Sequence, residues 1–159
     1  MMAMLTPAKA QRALTQNIRL LRGILEAVSG KEARQLRDEG ENGWNTVEVL
    51  CHMADFEDIF IDRMRSMVNE EMPTFPSYNP DERVISQQYK ARRFDEALVW
   101  FVDKRHEHLE YLKTLTGEQW QRRGIHTEFG ETTVLEHAYN IVGHDINHMD
   151  QILKILGEA

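Results

Sequence analysis

Cysteine is nearly absent: Cys51 stands alone in 159 residues, so no disulfide can form within the chain, and a reducing compartment suits it. Long apolar runs are missing too, since nothing approaches the roughly 20 residues that a membrane-spanning helix requires. The opening MMAMLTPAKAQ lacks a charged segment followed by an apolar one, which argues against a signal peptide. Positive charge is in deficit, with 19 Lys and Arg against 26 Asp and Glu and a net charge of −7. Binding a nucleic-acid backbone needs a basic surface that displaces counterions, so that class is excluded, whereas a small anionic substrate is not. These absences predict one cytoplasmic domain spanning residues 1–159, with no membrane and no nucleic-acid partner.

What is present reads as helix. Hydrophobic residues make up 42 % and charged residues 28 %, an ordinary globular balance. Thr6-Pro7 opens a first helix whose seam is Leu14, Ile18, Leu21, Leu25 and Val28, with Gly30 as its stop. Residues 31–43 read as a polar connection. Asn45 and Glu48 have capping-box spacing before a second helix that runs to about Val68, ahead of Pro73 and Pro76. Asn79-Pro80 starts a short helix within an irregular crossover, and a third long helix covers about Phe94 to Leu115. GIHTEFGETT, residues 124–133, is too short for a helix and suits a small hairpin around Gly130. Thr133 and Glu136 then open a fourth helix that ends at Gly157. Four long amphipathic helices predict an all-α four-helix bundle with a long crossover between helices two and three.

The fourth helix carries HDINHMDQI, residues 144–152. On a helical wheel, Leu135, Ala138, Val142, Ile146, Met149, Leu153 and Leu156 form one apolar face. His137, Ile141, His144, His148, Gln151 and Ile155 form a second stripe, and only Glu136, Asn140, Asn147, Asp150 and Lys154 are left for solvent. His144 and His148 are one turn apart, a spacing that can hold a metal ion through two ring nitrogens. Alone, such a pair is more often a packing or surface feature. His52, at the edge of the apolar arc of helix two, offers a third nitrogen, or is simply a half-exposed histidine. Glu57 on helix two and Arg105 on helix three interrupt apolar arcs. They are read as a buried pair setting helix register, or as groups facing a polar site. Asp145 is either a partner for a histidine ring N–H or a packing ion pair.

WNTVEVLCHMADFE (residues 44–57) and RRGIHTEFGETTVLEHAYNIVGHDINHMDQI (residues 122–152) resemble the signatures of DinB-like proteins, the DinB/YfiT superfamily. The resemblance implies a four-helix bundle, a divalent metal held by His52, His144 and His148, and frequent homodimers. It also implies a small-molecule substrate. Some relatives are transferases or isomerases using a low-molecular-weight thiol (bacillithiol, mycothiol or glutathione), and others have hydrolase-like activity. His126, in the turn before helix four, is read as a solvated loop residue or a residue at the mouth of the site. His137 is a candidate to line the cavity, and His106 and His108 are read as surface residues.

Three neutral histidines leave an open coordination position, the arrangement associated with catalysis. Zinc or nickel suits imidazole best, with manganese or iron as further options. The expected chemistry is activation of a thiol for transfer. The alternatives are activation of water for hydrolysis, or a non-catalytic metal-binding module of a stress response. Glu57 is a general-base candidate only if it is not locked to Arg105. A dimer surface is expected on helices two and three through Met67, Trp100 and Tyr111.

Overall fold

In the computed structural model, residues 4–39 and 43–157 are described. The first three residues, and residues 40–42 of the expected polar connection, lie outside that set. Four long helices carry the fold: α1 (Pro7–Leu25), α3 (Thr46–Asn69), α5 (Phe94–Lys113) and α7 (Val134–Ile155). Three short helices join them: α2 (Gly30–Gln35), α4 (Pro80–Ser86) and α6 (Gly117–Trp120). The expected helix starts are all made. Thr6 accepts from the Lys9 amide with Pro7 behind it, and Asn45/Glu48 and Thr133/Glu136 both close as capping boxes. Each such cap contributes about 1 kcal/mol.

The first helix stops at Leu25, short of the expected Gly30. Ser29 forms a capping box with Glu32, so Gly30 begins α2 rather than ending α1, and the polar connection is partly helical. α1 packs on α7 and α5, and α3 packs on the same two helices, which makes a four-membered bundle. Leu14, Leu21, Met53, Met64, Phe101 and Ile152 lie fully inside. The buried line of α7 runs between the two stripes read from the wheel, through Ala138, Ile141, Asp145, Met149 and Ile152. Ile146, placed on the apolar face, is 52 % exposed.

The first three turns of α3 are buried on every side from Thr46 to Glu57, because α2, α4 and a 3-10 turn at Tyr89–Ala91 pack over them. Asp55, which a helical wheel puts opposite the apolar arc of this helix, is therefore inside. It accepts from the Tyr89 hydroxyl at 2.6 Å and from both ends of the Arg83 guanidinium, which fastens the crossover to α3. Strand β1 (Thr74–Phe75) pairs in parallel with β2 (Arg123–His126), which pairs antiparallel with β3 (Gly130–Thr133). The hairpin is the expected one, with Gly130 at φ +84° supplying the left-handed turn. Gly124 admits the Phe75 ring, which a Cβ would meet at 2.5 Å.

The dimer surface drawn through Met67, Trp100 and Tyr111 is not an exposed apolar patch. Met67 is fully buried, while Arg92 covers the Trp100 ring and Arg65 the Tyr111 ring. No described helix is long and apolar enough to cross a membrane.

Candidate metal centre

His52 lies in the second turn of α3, and His144 and His148 lie one turn apart on α7. Their Nε2 atoms converge, with 3.0 Å from His52 to His144 and 3.2 Å from His148 to His144. A single proton can bridge one such pair but leaves the third lone pair facing the same point. A cation at the usual distance of about 2.0–2.1 Å holds imidazole nitrogens about 2.8–3.4 Å apart at angles from octahedral to tetrahedral, so the spacing fits one ion shared by all three.

The surroundings keep the rings neutral. Trp44 meets His52 edge-on at 5.2 Å, Phe56 lies 4.2 Å from the same ring, and Phe60 stands 5.1 Å from His144. Burial, reinforced by the other two histidines and Arg83, lowers the His52 pKa to about 2. Burial and then His148 lower His144 to about 3, against the opposing pull of Glu57. Burial also lowers His148, partly offset by its bond to Gln151. Neutral rings keep the lone pairs that a metal needs.

The tautomer of His148 follows from its neighbours. The Asp38 carboxylate only accepts, so at 2.6 Å it must receive the Gln151 amide N–H. That turns the Gln151 Oε1 toward His148, where it accepts from Nδ1–H at 2.8 Å. The His148 Nε2 therefore carries the lone pair that points at the other two histidines. His52 and His144 have no partner at Nδ1, so Gln151 holds the best-oriented ligand. Replacing it with alanine should weaken zinc affinity by about 10–100-fold without loss of the fold, measured by competition with a chromogenic chelator.

The three histidines form one wall of an open cavity of about 770 Å³, lined also by Trp44, Phe56, Arg37, Asp38, Asp81 and Lys90. Glu57 and Arg105 do not line it. Arg105 donates to Glu57 at 2.6 and 3.0 Å and to Asp145 at 2.7 and 2.8 Å. Asn17 of α1 donates to Asp145 at 2.9 Å. His108 completes the cluster, with Nδ1 2.8 Å from Glu57. It is fully buried and not a surface residue, while His106 is exposed as expected. Burial alone would raise the Glu57 pKa, but Arg105 and His108 hold it far below the usual carboxylate range. A carboxylate so held is a poor base, so Glu57 drops out as a catalytic candidate.

His137 and His126 come together elsewhere, in the wall of a second cavity that touches the triad only through His144. His126 is 8 % exposed and is no solvated loop residue: its Nδ1 accepts from the Glu128 and Phe129 amides. Sequence reasoning missed Asp38, Asn17 and Arg63. Asn17 interrupts the apolar seam of α1, and Arg63 precedes the buried Met64, so both carried the signal that exposed Glu57 and Arg105. Asp38 sits in a polar connection and carried none.

Residues 13–152 match the sequence profile of the DinB superfamily. The Bacillus subtilis (strain 168) protein YfiT, provisionally named a metal-dependent hydrolase, is 26 % identical over 118 residues, 72 % of this chain. That match covers 65 % of YfiT, less than two thirds of its length. The solved structure of YfiT, described as having an unusual four-helix bundle topology, superposes with a TM-score of 0.83. At 19 % identity it covers 100 % of this chain and 92 % of the other, so the two share a fold.

Proposed function

Because the chain belongs to the DinB superfamily, we propose that it is a metal-dependent hydrolase whose divalent ion, zinc or nickel, is held by His52, His144 and His148. The observation that carries this reading is the convergence of three neutral Nε2 atoms on the wall of an open cavity. When bound, such an ion supplies Lewis acidity that brings the pKa of water toward neutrality. The residues of the chain do the rest. Asp38 and Gln151 fix the His148 ring, and Trp44 and Phe56 exclude solvent from its neighbours. Lys90 gives the cavity a cationic group for a substrate's polar end, while Arg37 in the same lining is paired with Glu48 at 3.0 Å.

Hydrolysis is favoured over thiol transfer because the provisional name of the relative YfiT is a hydrolase. Cys51 cannot serve as a nucleophile of its own: it is buried, and burial pushes its thiol up to about 12. Assembly as a homodimer belongs to the same proposal.

Protein purified without an affinity tag should contain about one ion per chain. It should hydrolyse activated esters or amides in a chelator-sensitive way, and His148→Ala should abolish both properties. Turnover of a chlorinated aromatic only in the presence of an added thiol would replace hydrolysis with transfer. Metal without either activity would leave a binding module.

A further inference from the structure

The second cavity, of about 580 Å³, lies beside β3 and the first turns of α7, and His144 forms the wall it shares with the triad. Arg63 lines it and is 9 % exposed. Its Nη2 donates to the Pro76 carbonyl at 2.7 Å and its Nε has no partner. Among the described residues no carboxylate pairs with it, unlike Arg83 and Arg105. A guanidinium taken out of water without a counter-ion is costly, and the cost is relieved when an anion enters beside it.

Beside Arg63, this wall offers one imidazole donor. Both amide hydrogens received at His126 Nδ1 place the ring's own proton on Nε2, which makes that atom a donor. His137 is 6 % exposed, and its ring, kept neutral by burial, bonds the Phe60 backbone through its other nitrogen. The unpartnered Nε2 in this wall therefore carries a lone pair and receives a proton rather than giving one. The two acidic residues in the lining are committed elsewhere: Glu131 to Arg123, and Glu136 to the Thr133 amide and hydroxyl. Phe60 and Phe129 supply apolar walls, Phe129 stacked 4.6 Å from His126 and itself 78 % exposed.

We propose that this second cavity binds a small monocarboxylate with an apolar or aromatic body, its carboxylate on Arg63 and its body against Phe60 and Phe129. One guanidinium with one imidazole donor, that of His126, matches a planar monoanion. A phosphate dianion is normally met by several cations or a nest of backbone amides, and neither lines this cavity. The site stands apart from the proposed hydrolysis, since only His144 is common to both cavities.

The test is calorimetric titration of metal-free protein with benzoate and phenylacetate, with benzamide and phenyl phosphate as comparisons. The expected result is a Kd of about 1 mM or tighter for a carboxylate and no measurable binding of benzamide. Arg63→Gln should weaken carboxylate binding by about 10–100-fold, the range for a hydrogen-bonded charge. Arg63→Lys keeps the charge without the fork and should fall between, which guards against a folding defect in the first variant. His148→Ala should bind the carboxylate unchanged. The proposal is overturned if no carboxylate binds metal-free protein, if Arg63→Gln binds as well as the parent, or if phenyl phosphate binds more tightly. Binding that requires metal and vanishes in His148→Ala also overturns it, by placing the anion at the triad. Loss of hydrolysis with carboxylate binding intact would overturn only the proposed function.

Discussion

Arg105→Met is expected to lower folding stability by about 3–5 kcal/mol, the range seen when one partner of a buried ion pair is removed. A domain of this kind has only about 5–15 kcal/mol in total, so the variant should unfold at a markedly lower urea concentration. The reason lies in where Arg105 sits. Fully buried on α5, it bonds Glu57 on α3, Asp145 on α7 and the Leu14 carbonyl on α1, so all four long helices meet at one guanidinium. Its removal leaves two carboxylates inside with no cation. Adding Glu57→Gln and Asp145→Asn removes those charges and should restore more than half of the loss. A variant as stable as the parent would show that the helices hold their places without the network. The cluster also bears on the triad, because Asp145 is adjacent to His144 and anchors the rotation of α7. Arg105→Met that still folds should therefore bind zinc more weakly than the parent.

The sequence made some of this legible and hid the rest for physical reasons. Helix starts were readable because Thr6, Asn45 and Thr133 act within one turn, through bonds to amides three residues away. The Glu57–Arg105 pair was readable because a charge in an apolar arc needs a partner, and α3 and α5 pack together. That Asp145 and His108 join the same cluster was not, since nothing local says which of several nearby groups a buried cation will choose. Asp55 was misplaced for a related reason. A wheel assigns one face to solvent, but the crossover comes back over that face and brings Arg83 and Tyr89 with it. Ile146 fell on the apolar side because hydrophobicity fixes a helix's inner face only to within a residue or so of rotation. On α7, Asp145 turns inward to Arg105, and Ile146 turns out. The triad was approachable because two of its members are one turn apart, yet joining them to His52 took family resemblance. His148 and Gln151 share a stripe at one-turn spacing, but the Asp38 that orients Gln151 is a tertiary partner that no spacing announces.

Adding zinc or nickel to metal-free protein should raise its Tm by about 8–16 °C at a free ion concentration near 1,000 times Kd. That concentration stabilises the folded state by about 4 kcal/mol, and 1 kcal/mol shifts a chain of this length by about 2–4 °C. At one common free-ion concentration the shift should be largest for nickel and zinc, smaller for iron(II) and least for manganese, because the ions differ in affinity. His144→Ala should abolish it, because His144 is the shared vertex at 3.0 Å from His52 and 3.2 Å from His148. A shift that survives in this variant would place the ion elsewhere. Acid separates the metal from the fold. In the folded chain burial keeps His52 at about 2 and His137 and His144 at about 3, while in the unfolded chain the same rings titrate near their ordinary value of 6.5. The unfolded state thus takes up protons first as pH falls. The metal-free protein should be fully stabilised above pH 6.5 and lose up to about 1.4 kcal/mol per pH unit for each such ring below it. Protons compete poorly for rings that are already neutral when buried. The zinc-induced shift should therefore persist to about pH 5, well below the range in which exposed histidines release metal. Disappearance of the shift near pH 6.5 would mean that the triad opens to solvent and titrates as free imidazole.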